Sequence, residues 1–206
     1  MRAYIYVGGG IDPASITERP QKEDMTVAAD SGWNNAELLG VTPQILLGDF
    51  DSIGRDTLPK AEEILQVPPE KDRTDTQLAV DLALSRGAND FVLIGGLSGR
   101  LDHTLSNLSI LEYLAERGAH AVMTDGFNRV RFLRNTGALI ARSAYTYLSF
   151  IVVGEVAKGV SVDGCKYPLK NAKLKRTCQY AVSNEITGNC ALVEVRHGAL
   201  LVVESK

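Results

Sequence analysis

The chain has 206 residues, enough for one large domain or two small ones with a real core. Its apolar fraction of 45% and charged fraction of 23% are those of a soluble globular protein. A net charge of −3 offers no global basic field for nucleic acid, and no apolar run is long enough to span a membrane.

Cys165, Cys178 and Cys190 form no Cys-x-x-Cys pair, which argues against structural zinc. They read as small apolar side chains in or near strands. Their odd number and the lack of a signal peptide give the expectation of a reducing, cytoplasmic setting.

In chain order, Ala3-Tyr-Ile-Tyr-Val7 is a continuous apolar run that Gly8-Gly-Gly10 turns. Met25-Thr-Val-Ala-Ala29 is a second run, ending at Asp30, and Ser31 to Leu39 reads as a short helix stopped by Gly40. Gln44-Ile-Leu-Leu47 is a third run. Residues 56–63 are expected to be helical, and Ile64-Leu-Gln-Val67 is a short strand stopped by Pro68-Pro69. Leu78, Ala79, Leu82 and Ala83 give Thr74 to Ser85 a helical spacing. Phe91-Val-Leu-Ile94 is a buried strand. Thr104 to Arg117 is a helix with Leu105, Leu108, Leu111 and Leu114 on one side, and Ala119 to Thr124 is one more strand.

Short apolar strands separated by helices predict a parallel sheet covered on both faces, with ligands beyond the carboxyl ends of its strands. Beyond about Asn128 the texture changes. Runs rich in Val, Tyr and Thr, broken by Gly and Asn, cover Val130–Leu133, Tyr145–Val153, Val156–Val162, Tyr180–Val182, Ala191–Arg196 and Leu200–Val203. They predict an antiparallel β-sandwich. The expected organisation is an α/β domain over residues 1–127 and a β-sandwich domain over 128–206. Lys166, Lys170, Lys173, Lys175 and Arg176 make a local basic stretch that reads as a solvated loop or edge strand.

Three acid-bearing loops carry the chemistry. Gly48-Asp-Phe-Asp-Ser52 sets Asp49 and Asp51 two residues apart at a strand end, suited to Mg²⁺, which takes one or two carboxylates plus substrate phosphates. Asp also caps turns and helices, so the pair alone is ambiguous. In Lys71-Asp-Arg-Thr-Asp75, Thr74 reads as an N-cap. The helix it opens is an anion site, with Lys71 and Arg73 adding cations and Asp72 and Asp75 within reach of a metal. In Gly95-Gly-Leu-Ser-Gly-Arg-Leu-Asp-His103, glycines let backbone N–H groups approach an anion, Arg100 can clamp phosphate, and Asp102 and His103 sit where a helix begins. This turn matches neither the Walker A pattern nor the dinucleotide fingerprint. His120 and His197 read as structural, and Trp33 as packing.

Taken with Ala29-Asp-Ser-Gly32 and Val182-Ser-Asn-Glu185, these motifs in this order and spacing resemble the thiamine pyrophosphokinase family over essentially the whole chain. The resemblance implies that ATP and thiamine give AMP and thiamine diphosphate. It also implies Mg²⁺, and a homodimer with thiamine sites at the subunit interface. Asp49, Asp51, Asp75 and Asp102 would be the catalytic acids, and Asp49, Asp51, Asp72 and Asp75 the metal set. ATP and its phosphates would take Asp30, Lys71, Asp72, Arg73, Thr74, Gly95, Gly96 and Arg100. Thiamine would take Asp102, His103, Ser183 and Asn184. Ser183 and Asn184 also suit an ordinary turn between strands. Animal members carry a tryptophan near the C-terminus that covers thiamine; here the single tryptophan is Trp33 and the end reads Arg196-His-Gly-Ala-Leu200. On the residues alone two other readings stay open: a Mg²⁺-dependent kinase or nucleotidyltransferase for another alcohol, and a non-catalytic nucleotide- or thiamine-binding module.

Overall fold

A computed structural model describes residues 1–50, 60–70 and 72–206. Asp51, Lys71 and residues 56–59 of the expected 56–63 helix lie outside the described residues. The chain divides into two compact units, Met1–Gly126 and Phe127–Lys206.

The first unit contains β1 (Arg2–Tyr6), β2 (Met25–Ala29), α1 (Gly32–Leu38), β3 (Ile45–Gly48), β4 (Glu63–Gln66), α2 (Asp75–Ser85), β5 (Asp90–Ile94), α3 (Leu101–Glu116) and β6 (His120–Thr124). Its strands lie in the order β4-β3-β2-β1-β5-β6, and every described pair is parallel. The continuous apolar runs become strands buried on both faces: all of β2, and β1 beyond Arg2. Thr26, the polar residue inside β2, is satisfied by Gln44: each backbone N–H donates to the other's side-chain oxygen, at 3.1 and 2.9 Å. Tyr4, Tyr6, Val92 and Ile94 pack on one face with Ala36 of α1 and Phe50. The intervening Ile5 and Leu93 point to the other face by the period of two. Helix α2 packs on β1, β2 and β3, and α3 on β6.

Two sequence expectations shift here. Glu63 opens strand β4, aligned with Ile45, and so does not belong to a helix. Helix α3 starts at Leu101 rather than Thr104, because Arg100 takes an extended conformation as its N-cap and Asp102 sits in its first turn. The buried side of α3 is then Asn107, Ile110, Leu111 and Leu114, while Leu105, expected on the apolar side, is 57% exposed.

Strand β1 lies between β2 and β5, so the connections leave it in opposite directions. That is a topological switch point, where open α/β sheets form a crevice beyond the strand ends.

The second unit contains β7 (Asn128–Arg134), β8 (Gly137–Ala141), β9 (Tyr147–Asp163), β10 (Leu169–Lys175), β11 (Cys190–Glu194) and β12 (His197–Ser205). Strand order is β7-β12-β9-β11-β8, with β10 also on β9, and all these pairs are antiparallel. The two segments Tyr145–Val153 and Val156–Val162 are realised as the single strand β9. Its first half pairs with β12 and its second half with β10 and β11. A core of Val, Leu and Ala with Phe150 and Cys165 fills the unit. Glu204 is buried, with its charge met by Arg129 at 3.7 Å, by Arg131, and by the Ser143 hydroxyl at 3.1 Å.

The expected Tyr180–Val182 strand does not form. Among the described residues, backbone contact with β9 is limited to the Phe150 N–H, which donates to Ala181 O at 2.8 Å, and the bridge of Leu148 with Asn184, and between them Ser183, with φ +57°, breaks the ladder. Strand β8 was not legible as a strand, whereas β10 lies in the basic stretch that reads as a solvated loop or edge strand, and it takes the edge-strand form. In β10 only Leu174 is fully buried and its lysines are exposed, so no clean alternation marks it; it pairs with β9 alone, as an edge strand does. No described helix is long and apolar enough to cross a membrane.

Candidate active site

A cleft of about 420 Å³ opens in the first unit beyond the ends of β1 and β5. Its lining includes Asp30, Thr74, Asp75, Gly96, Arg100 and His103, six residues singled out from sequence on separate loops and helix starts. Ser98, in the 95–99 turn that the resemblance gives to phosphate oxygens, also lines it, as do Gly8, Gly9, Ser31 and Asn107, which were not assigned a role from sequence. The signal for Gly8 and Gly9 was present, a glycine run directly after a buried strand at the sheet's ligand-bearing rim. Asn107, a polar residue on the buried side of a helix, gave only a weak one.

The rim is held rigidly. Buried Asn35 donates from Nδ2 to the carbonyls of Val7 (2.7 Å) and Gly9 (2.8 Å), and buried Asn107 donates to Gly96 O (3.0 Å). The Ser98 hydroxyl donates to Gly10 O at 3.1 Å, and Gly96 N–H to Gly8 O at 2.9 Å. Gly95 must be glycine: its φ is +97°, and a Cβ there would lie 2.2 Å from Val7 O.

Asp30 and Asp49 come from adjacent strands. Asp30 N–H donates to Leu47 O at 2.7 Å, and a Cβ on Gly48 would stand 3.1 Å from Asp30 Cα, a tight contact that glycine avoids. Phe50 is buried in the core with φ +57° and anchors the segment that carries Asp49. Asp49 itself does not line the cleft, and Asp51 lies outside the described residues.

Thr74 Oγ1 accepts from Gln77 N–H at 3.2 Å, making the expected N-cap, and Asp75 occupies the first turn of α2. Thr74, Asp75 and Thr76 bring that helix start to the cleft, where its dipole favours an anion. Asp72 is exposed and does not line the cleft. Arg73 turns back onto α2, with Nη1 2.7 Å from Asp81 Oδ2. Arg100 forms a two-point pair with Asp102, Nη2 to Oδ2 at 2.6 Å and Nε to Oδ1 at 3.2 Å. That hydrogen-bonded guanidinium, helped by the His103 N–H, holds the Asp102 carboxyl below the usual carboxylate range. Asp102 is therefore ionised at neutral pH.

Among the described residues, no group of three or more His, Cys, Asp or Glu forms a metal cage. Mg²⁺ needs none, since it usually takes one or two carboxylates plus substrate phosphates and waters. Asp30 and Asp75 in the cleft, with Asp49 next in sequence to the Gly48 that lies against Asp30, are donors of that kind, so the residues fit a magnesium ion that arrives with phosphates.

In the second unit, Ser183 is exposed, and its N–H donates to Ser149 Oγ at 3.0 Å. Asn184 is buried. Its Oδ1 accepts from the N–H groups of Tyr167 (3.0 Å) and Glu185 (2.9 Å), and its Nδ2 donates to Tyr167 O (2.7 Å). Cys165 is buried, Cys190 half-buried and Cys178 exposed, and all three are free thiols. His120 and His197 open β6 and β12 and are exposed.

Residues 17–123 match the family model described as thiamin pyrophosphokinase, catalytic domain, and residues 138–200 match thiamin pyrophosphokinase, vitamin B1 binding domain. A thiamine pyrophosphokinase of Bacillus subtilis (strain 168) is 28% identical over 195 residues, spanning 92% of this chain and 91% of its own. The crystal structure of thiamine pyrophosphokinase from Bacillus subtilis superposes with a TM-score of 0.88 at 26% identity, covering 100% of this chain and 99% of that one. That of thiamin pyrophosphokinase from Geobacillus thermodenitrificans gives 0.85 at 27% identity, covering 100% and 98%. Two matched domains and full-length structural likeness lead to one conclusion: the chain belongs to the thiamin pyrophosphokinase family.

Proposed function

We propose that the chain transfers a diphosphoryl group from ATP to the hydroxyl of thiamine, giving thiamine diphosphate and AMP. A bond forms between the thiamine hydroxyl oxygen and the β-phosphorus as the bond from that phosphorus to the α,β-bridging oxygen breaks. AMP leaves with the bridging oxygen. The hydroxyl proton departs late if the transition state is loose, so no strong base is required. The observation that carries the reading is the convergence of Asp30, Thr74, Asp75, Gly96, Arg100 and His103 on one cleft at the sheet's switch point, in a chain of this family.

In this reading the start of α2 and the N–H groups of the Gly95–Gly96 turn take phosphate oxygens, and Arg100 clamps them. Asp75, with Asp49, Asp51 and Asp72, holds Mg²⁺ directly or through water. Bound Mg²⁺ would neutralise and orient the triphosphate. Asp102, ionised beside Arg100, orients the hydroxyl and attracts the thiamine cation. The antiparallel unit, closed as a β-sandwich, supplies the thiamine side through Ser183 and the segment that Asn184 fixes. The active molecule is a homodimer, and its free thiols suit the reducing cytoplasm.

Incubating the purified protein with ATP, Mg²⁺ and thiamine should yield AMP and thiamine diphosphate in equal amounts. Formation of ADP with thiamine monophosphate would contradict the reading. Binding of thiamine with no turnover would favour a non-catalytic module.

A further inference from the structure

The carbonyls of Val7, Gly8, Gly9 and Gly10, just past β1, are all held from the protein side. Asn35 of α1, only 4% exposed, donates from Nδ2 to Val7 O at 2.7 Å and to Gly9 O at 2.8 Å. Gly8 O accepts from the Gly96 N–H at 2.9 Å, and Gly10 O from the Ser98 hydroxyl at 3.1 Å. Both partners of Asn35 are acceptors, so its nitrogen and not its oxygen must face them. Gly95 closes over this clamp: a Cβ there would lie 2.9 Å from Asn35 Nδ2.

One carbonyl would be enough to tie α1 to the end of β1. Two carbonyls on alternate residues do more, because each fixes the plane of a peptide. Every described peptide bond is trans, and in a trans peptide the N–H points opposite to the carbonyl before it. Val7 O and Gly9 O face the buried amide, so the N–H groups of Gly8 and Gly10 face away from it and from the interior. Among the described residues none accepts from the N–H groups of Gly8, Gly9 or Gly10. Gly8 and Gly9 form part of the cleft wall, together with Arg100 and the first residues of α2. Outward N–H groups on one tight turn make a concavity that suits an anion, and a guanidinium on the same cleft favours the same charge.

We propose that Asn35 is a positioning residue that turns the Gly8 and Gly10 N–H groups outward, and that these groups bind phosphate oxygens of the nucleotide. The inference rests on the reading of this cleft as the ATP site. Its test uses the full chain carrying isotope-labelled glycine, titrated with α,β-methylene-ATP and followed by amide NMR. The Gly8 and Gly10 amide protons should move downfield, as hydrogen bonds to charged oxygens require. Adenosine, which carries no phosphate, should leave them in place. Asn35→Asp keeps the shape but replaces the donor with a carboxylate that repels both carbonyls. It should abolish the shift and weaken the analogue about tenfold, the worth of one charge-assisted hydrogen bond, while thiamine affinity holds.

Gly8 and Gly10 amides that stay in place while calorimetry shows the analogue bound would overturn this inference alone. An equal shift with adenosine would do the same, as would an Asn35→Asp chain that binds the analogue undiminished. A matching loss of thiamine affinity would mark Asn35 as merely structural and overturn its role. If Asn35→Asp does not fold, the titration of the unsubstituted chain decides. If that chain does not bind the analogue at all, the ATP reading fails and this inference falls with it.

Discussion

Asn184→Ala separates two roles for the Val182-Ser-Asn-Glu185 motif. The Asn184 carboxamide is buried and makes three hydrogen bonds, two of which clip the backbone N–H and C=O of Tyr167. Each such bond contributes about 1 kcal/mol net, and a partner left buried and unmet costs about 1–3 kcal/mol. Tyr167 is 60% exposed, so water reaches part of what the alanine would leave unpaired. The expected loss is about 2–4 kcal/mol, a large share of the ~5–15 kcal/mol that holds a domain folded. In urea the midpoint should fall with the slope unchanged, and the melting temperature should drop by about 6–12 °C. Ser183→Ala is the control. That side chain is exposed and the hydrogen bond to Ser149 comes from its N–H, so stability should stay within about 0.5 kcal/mol. A loss below about 0.5 kcal/mol in Asn184→Ala would refute the clip and return Asn184 to the role of a surface ligand.

Other outcomes follow from the same geometry. Asp75→Asn should lower kcat/KM for diphosphoryl transfer by about a hundredfold or more while the chain still folds. Near-normal rates by product assay would remove Asp75 from the metal set. Gly95→Ala should cost ~3 kcal/mol or more, read as soluble yield and urea midpoint, because the new Cβ meets Val7 O at 2.2 Å and φ is +97°. The carboxyl carbon of Asp102, followed by NMR, should titrate below the usual carboxylate range and move up in Arg100→Gln. Because its folded pKa is depressed, whatever the pair adds is present above the unfolded value and lost only as pH falls through the folded one. Stability between pH ~5 and ~8 should therefore not change on its account.

Much of the fold could be read from residue order because the first unit follows simple periods. Continuous runs such as Met25–Ala29 and Phe91–Ile94 can be buried on both faces only in a parallel sheet. Thr74 marks the start of α2 to the residue. Where the reading failed, tertiary geometry overrode local pattern. Ser183's positive φ dissolved the expected 180–182 strand, and the exposed lysines of β10 left the basic stretch undecided between a solvated loop and the edge strand it forms. The acid-bearing loops were legible as motifs, yet their individual fates were not. Asp75 faces the cleft while Arg73, two residues earlier, turns to an acid eight positions along the chain. The buried amides that brace the cleft, Asn35 and Asn107, carry no local signature, since their partners are carbonyls 28, 26 and 11 residues away.

Diphosphoryl transfer is tested most directly by the fate of the oxygen that bridges the α- and β-phosphorus atoms. With ATP carrying a heavy-oxygen label at that bridge, attack of thiamine at the β-phosphorus predicts the label entirely in AMP, with unlabelled thiamine diphosphate beside it. Label retained in ADP alongside thiamine monophosphate, or released in pyrophosphate, would contradict the account.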